Sequence, residues 1–162
     1  MQIFIMRHGQ AEMLAASDAL RPLTEIGVAE AKVTGRWLSK NFSSFDCVFV
    51  SPYKRAQQTA DALLSQFGND GNSGKRATLS FITPEDSAKS VHDYLDAICS
   101  EHNYQRILLV SHMPLVSYLV AELSSDNAMP IFQTASVAQI DYNKERMQGE
   151  LIGLLSPNEM SP

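Results

Sequence analysis

Short, mostly apolar runs alternate along the chain with stretches where apolar residues recur every three or four positions. Ile3 to Met6, Cys47 to Val50, Leu79 to Ile82 and Ile107 to Val110 are of the first kind. They are too short for helices and lack polar alternation, which predicts strands covered on both faces. Between them, Thr24 stands where it can cap a helix presenting Ile26, Ala29, Val33 and Trp37 on one face. A second helical stripe is formed by Ala56, Ala60, Leu63, Leu64 and Phe67. Thr83-Pro84-Glu85 combines a cap, a first-position proline and a first-turn acid. That predicts a third helix, with Val91, Tyr94, Leu95 and Ile98 inward. Pro114 opens a fourth, with Leu115, Leu119 and Leu123 inward. Val137 to Tyr142 and Glu150 to Leu155 read as two further strands joined near Asn143-Lys144, and Gly68 to Gly74 as an exposed loop.

This alternation predicts an α/β protein: a single-domain three-layer fold over residues 1–162, with a mostly parallel central sheet and an antiparallel edge. A chain of 162 residues can bury a real core, and 44% hydrophobic with 19% charged residues excludes disorder. The net charge of −5 argues against a broad nucleic-acid surface, yet leaves room for a small cationic pocket. No apolar run reaches the length of a membrane span, and the start lacks a basic leader region, so the expected location is cytoplasmic. Cys47 and Cys99 have no metal-ligand spacing and read as buried, reduced thiols.

Candidate chemistry is concentrated just after three of the strands. The first runs into Arg7-His8-Gly9, the second into Ser51-Pro52-Tyr53-Lys54-Arg55, and the Ile107–Val110 run into Ser111-His112. In an open α/β sheet such junctions share the carboxyl edge, where ligands bind and helix N-termini favour anions. Taken singly, each residue has an ordinary explanation: a surface cation, a satisfied histidine, a solvated helix start. An arginine in a first helical turn nevertheless opposes the helix dipole, which points to an anionic partner for Arg55. Together, two arginines and two histidines in one crevice make a phosphate pocket. His92 and His102 have no ligand set around them and read as surface residues; no metal site and no cofactor are expected.

These motifs resemble the histidine phosphatase superfamily, also called phosphoglycerate mutase-like. The resemblance rests on Arg7-His8-Gly9, Pro22-Leu23-Thr24 with Gly27, the segment from Ser51 to Thr59, and Ser111-His112, and spans roughly residues 1 to 125. Small size and further matching stretches, among them Ala16-Ser17-Asp18, Ser111 to Val116 and Tyr118 to Leu123, are similar to the superfamily's protein-histidine phosphatases. The resemblance implies a phosphoglycerate mutase-like fold, His8 as the residue that is phosphorylated, and Arg7, Arg55 and His112 as the remainder of the catalytic pocket. It implies a metal-independent hydrolase whose partner is a phosphorylated histidine-containing phosphotransfer (HPt) domain of a sensor kinase, or a related phosphocarrier protein, in two-component signalling. Asp18 and Arg21 are further substrate-binding candidates, with Tyr53 and Lys54 at the rim. A monomer is expected.

Family phosphatases take a carboxylic acid from the loop after the third strand to protonate an alcohol leaving group. Here that region offers Glu85, whose place in a helix first turn fits capping better. A missing acid bears on the substrate. An alkoxide, with a conjugate acid near that of water at about 15.7, leaves poorly without a proton. A phosphohistidine ring that is already protonated on its other nitrogen leaves as neutral imidazole, whose conjugate acid has a pKa of about 6.5. Two alternatives stand beside the phosphohistidine reading: a small-molecule phosphomonoesterase or mutase of the same superfamily, which needs a working acid near Glu85, and a non-catalytic phosphoprotein-binding module, which has no need of a nucleophile.

Overall fold

The computed structural model describes residues 1–68 and 75–160. In chain order the elements are β1 (Gln2–Arg7), α1 (Glu25–Asn41), β2 (Cys47–Val50), α2 (Lys54–Leu64), β3 (Lys75–Thr78), α3 (Ala88–Glu101), β4 (Arg106–Ser111), α4 (Leu115–Leu123), β5 (Val137–Asn143) and β6 (Gln148–Leu155). The sheet runs in the order β3-β2-β4-β1-β5-β6. The first four strands in this order are parallel, and β5 and β6 form the antiparallel edge.

Alternation within the strands divides the core in two. Ile3, Ile5, Ile107 and Leu109 face α3 and α4, packing with Val91, Leu95, Leu119 and Leu123. Phe4, Met6, Leu108 and Val110 point the other way, toward Leu38, Ala56, Ala60 and Leu63 of α1 and α2. This is the expected three-layer arrangement, and it explains the continuous apolar runs: both faces of each central strand are covered. Cys47 and Cys99 are buried and free, as expected.

Four local expectations are corrected. The third strand is Lys75–Thr78, not Leu79–Ile82. It is a mostly exposed edge strand, so nothing demanded apolar residues; Leu79 and Ile82 are apolar because they pack into the core from the turn that follows. The third helix begins at Ala88, not near Glu85: the Asp86 carboxylate accepts from the backbone N–H and hydroxyl of Thr83 and closes a separate turn, and Ser87 caps the helix. The buried face of α1 is Gly27, Ala31, Thr34, Gly35 and Leu38, whereas Ile26 and Ala29 are exposed. A Cβ on Gly27 would lie 2.0 Å from the Gln10 carbonyl, and one on Gly35 2.5 Å from that of Leu63. This face is selected for close backbone approach, which a hydrophobic stripe does not report. Finally, His92 is buried rather than on the surface, between Glu122 and Tyr142. Gly68 to Gly74, read as a loop, falls outside the described residues after Gly68.

Candidate active site

β2, β4 and β1 are neighbours, and their carboxyl ends are level: Arg7 pairs with Ser111, and Val50 with Val110. The residues that follow therefore emerge side by side. The His8 N–H donates to the Ser111 carbonyl at 3.0 Å, and the Ser51 N–H to that of Val110 at 3.0 Å. His112, after the middle strand, sits with its ring centroid 5.1 Å from that of His8. The four predicted catalytic residues are thus brought together.

His8 is buried, and its Nδ1 lies 2.7 Å from the Gly9 carbonyl, a group that only accepts. Nδ1 therefore carries the proton, and Nε2 keeps its lone pair. The Nε–H of Arg55 donates to that Nε2 at 3.2 Å. Burial lowers the His8 pKa to about 4, opposed by the Gly9 bond and assisted by Arg55 and Arg7. The ring is neutral at pH 7. The Gly9 N–H donates to Thr59 Oγ1, and a Cβ on Gly9 would come within 2.5 Å of the Gly27 carbonyl. Glycine at both positions lets α1 press on the loop carrying His8.

Arg55 is 4% exposed and holds an anion, as its unfavourable position in the helix dipole suggested: Nη1 donates to the Asp18 carbonyl at 2.6 Å and Nη2 to its carboxylate at 3.2 Å. Arg21 braces the same carboxylate at 2.9 Å and donates to the Glu12 carbonyl. Asp18 is held below the usual carboxylate range, first by Arg21 and then, against slight burial, by Arg55. Arg7 donates from Nη1 to the Phe132 carbonyl at 2.7 Å, while its Nε–H is buried without a partner among the described residues. His112 is 1% exposed; its Nε2 meets Ser51 Oγ at 2.7 Å, and its Nδ1 is likewise buried with no partner among the described residues. Burial, then His8 and Arg55, push its pKa down further than that of His8.

Some positioning residues escaped the sequence reading. Ser51 and Thr59 stand at the two ends of the Ser51–Thr59 motif, where the sequence assigns neither a partner. Glu30, mid-helix, has no sequence signal: one carboxylate oxygen accepts from the Gln10 N–H and the other from Thr134 Oγ1, tying together two loops that flank His8. Tyr53, placed at the rim, packs edge-on against His112 at 5.0 Å, with the Arg55 guanidinium 5.0 Å from its ring. Lys54 is exposed. Glu85 is exposed in the Thr83–Asp86 turn and makes no hydrogen bond to a described residue; it is not in a helix first turn. A recess of about 660 Å³ lies around the β5–β6 turn at the opposite sheet edge, lined by Met1, Tyr142 and Lys144 among others, and touches none of these groups. No helix among the described residues is long and apolar enough to cross a membrane.

A neutral histidine flanked by the buried Arg55 guanidinium, the half-buried Arg7 and a second histidine, at the carboxyl edge of this sheet, defines a class, and the chain belongs to the histidine phosphatase superfamily. The model of its branch 1 matches residues 3–77. Within it, the chain is 40% identical to the phosphohistidine phosphatase SixA of Escherichia coli over 145 residues, covering 89% of this chain and 87% of that protein. It is also 40% identical to the SixA homolog of Haemophilus influenzae, over 91% of this chain and 93% of that one. A solved structure of the protein histidine phosphatase SixA complexed with tungstate superposes with a TM-score of 0.91 at 35% identity, covering 99% of this chain and all of that one.

Proposed function

We propose that this protein is a metal-independent phosphohistidine phosphatase that takes the phosphoryl group from the histidine of an HPt domain or related phosphocarrier onto His8 Nε2, and then releases it to water. The observation that carries this reading is the hydrogen-bond state of the cluster. His8 presents an unprotonated Nε2, and two buried groups of the cluster, Arg7 Nε–H and His112 Nδ1, have no partner among the described residues. A buried unpaired donor costs about 1–3 kcal/mol. Such a cost is recovered when an oxyanion fills the space between the donors.

Each residue then has a role. An arriving phosphoryl oxygen draws the Arg55 N–H off Nε2 and frees the lone pair for attack. The P–N bond to the substrate histidine breaks as the bond to His8 forms, and the leaving ring, already protonated on its other nitrogen, takes the bonding pair and departs as neutral imidazole. Arg7, Arg55 and His112 hold the three non-bridging oxygens as charge spreads over them. Water then attacks the phosphorus of phospho-His8, and the imidazole leaves with its Nδ1–H still bonded to Gly9. Asp18 and Arg21 set the position of Arg55 at the mouth of the pocket.

A protein substrate is favoured by the surroundings. The two loops that meet Arg55 and Arg7 carry exposed apolar side chains: Met13, Leu14 and Leu20 on one, Met129 and Ile131 on the other. Such a rim suits a protein surface. Phosphate release from a phosphohistidine protein, compared with a panel of phosphomonoesters, tests the substrate class. Fast release from the first with little from the second is expected; efficient ester turnover overturns the preference.

A further inference from the structure

Ser51 is fully buried. Its hydroxyl oxygen takes part in two contacts: it accepts from the Tyr53 N–H at 3.3 Å and meets His112 Nε2 at 2.7 Å. A hydroxyl has one proton to give and two lone pairs. Suppose His112 carried its proton on Nε2. The serine oxygen would then accept twice, its own proton would have no acceptor among the described residues, and His112 Nδ1 would be a buried lone pair facing no donor. With the serine proton pointed at Nε2, every partner is satisfied except Nδ1–H, which becomes a spare donor beside His8. Protonation of both nitrogens is opposed by burial against Arg55 and His8.

We infer that Ser51 is a positioning residue that fixes His112 as the Nδ1–H tautomer, so that a neutral ring donates a hydrogen bond to the transferring phosphoryl group. The two histidines are thereby wired in opposite senses. His8 satisfies its Nδ1–H on Gly9 and offers a lone pair; His112 satisfies its Nε2 on Ser51 and offers a proton. A ring with the wrong tautomer would turn a lone pair toward an anion, and the dependence of catalysis on a tautomer-setting neighbour is well precedented. The catalytic consequence rests on the phosphatase reading; the tautomer does not.

The test is nitrogen-15 NMR of histidine-labelled free protein at pH 7, combined with steady-state kinetics on a phosphohistidine protein. The wild-type spectrum is expected to show His112 neutral, with a protonated Nδ1 and a bare Nε2. Ser51→Ala should mix the tautomers and lower kcat about 10- to 100-fold, the range seen when a supporting partner of a site ligand is removed, with KM little changed; Ser51→Thr should restore both. A protonated Nε2 in the wild-type spectrum overturns the proposal, and this reading does not depend on any variant folding. So does a Ser51→Ala protein that keeps both the spectrum and kcat. A wild-type protein with the expected tautomer but no phosphohistidine turnover sinks the phosphatase reading and leaves the Ser51 assignment standing.

Discussion

Two parts of this molecule bury histidine, and they do so differently. On the α3 side, His92 has both ring nitrogens engaged: Nδ1 with the Glu122 carboxylate at 3.1 Å and Nε2 with the Tyr142 hydroxyl at 2.9 Å. The bonds link α3, α4 and β5, and nothing polar on the ring is left over. At the sheet's carboxyl edge, His8 and His112 are also buried, but they lie against arginines and one nitrogen of His112 has no partner among the described residues. A completed set of hydrogen bonds stabilises a fold, whereas an incomplete set keeps a place for a ligand. Burial alone does not separate the two; accounting for each nitrogen does.

That contrast can be broken experimentally. Arg55→Ala removes the buried guanidinium beside His8, and kcat/KM for a phosphohistidine protein should fall by about 10²- to 10³-fold, as for loss of one transition-state donor. His92→Ala should leave kcat/KM within about twofold while costing about 1–3 kcal/mol in urea unfolding, because it strands the buried Tyr142 hydroxyl. A large activity loss at His92 with unchanged stability would erase the distinction.

The pH response sharpens it. His8 titrates near 4 in the folded chain and near 6.5 when unfolded. Between those values the unfolded state binds more protons, so stability is fully present above about pH 6.5 and is lost as pH falls toward 4. His112, also depressed, acts in the same direction. Urea midpoints should therefore drop from pH 7 to pH 4.5, and His8→Asn should flatten the slope. The same depressed value keeps His8 nucleophilic through that range, so kcat/KM, corrected for spontaneous loss of phosphate, should hold up well below pH 6. The smallest effect is expected at the rim. Leu14→Glu with Ile131→Glu should raise KM for the phosphoprotein about tenfold, equivalent to about 1.4 kcal/mol, and leave turnover of a small phosphoramidate unchanged.

Much of the site was legible in the sequence because it is built at strand ends. Apolar runs mark the strands, the next residues land at one edge, and Arg7, His8, Arg55 and His112 are among the polar residues found there. Less legible was whatever depends on who touches whom. Ser51 and Glu30 act through partners 61 and 104 residues away in sequence. The buried face of α1 is made by Gly27 and Gly35 meeting backbone, which carries no hydrophobic signature. The edge strand β3 is too exposed to show an apolar run, and His92 looks solvated until Tyr142 arrives from β5.

The central claim is that His8 carries the phosphoryl group, and the most direct measurement is a rapid quench of the protein with a phosphohistidine substrate in the presence of chelator, followed by mapping of the modified residue. The account predicts a transient, acid-labile phosphoryl group on His8, absent from His8→Ala, which should also lose at least about 10⁴-fold in turnover, as nucleophile removal does elsewhere. A phosphoryl group on another residue, or a His8→Ala protein that still turns over substrate, would contradict it.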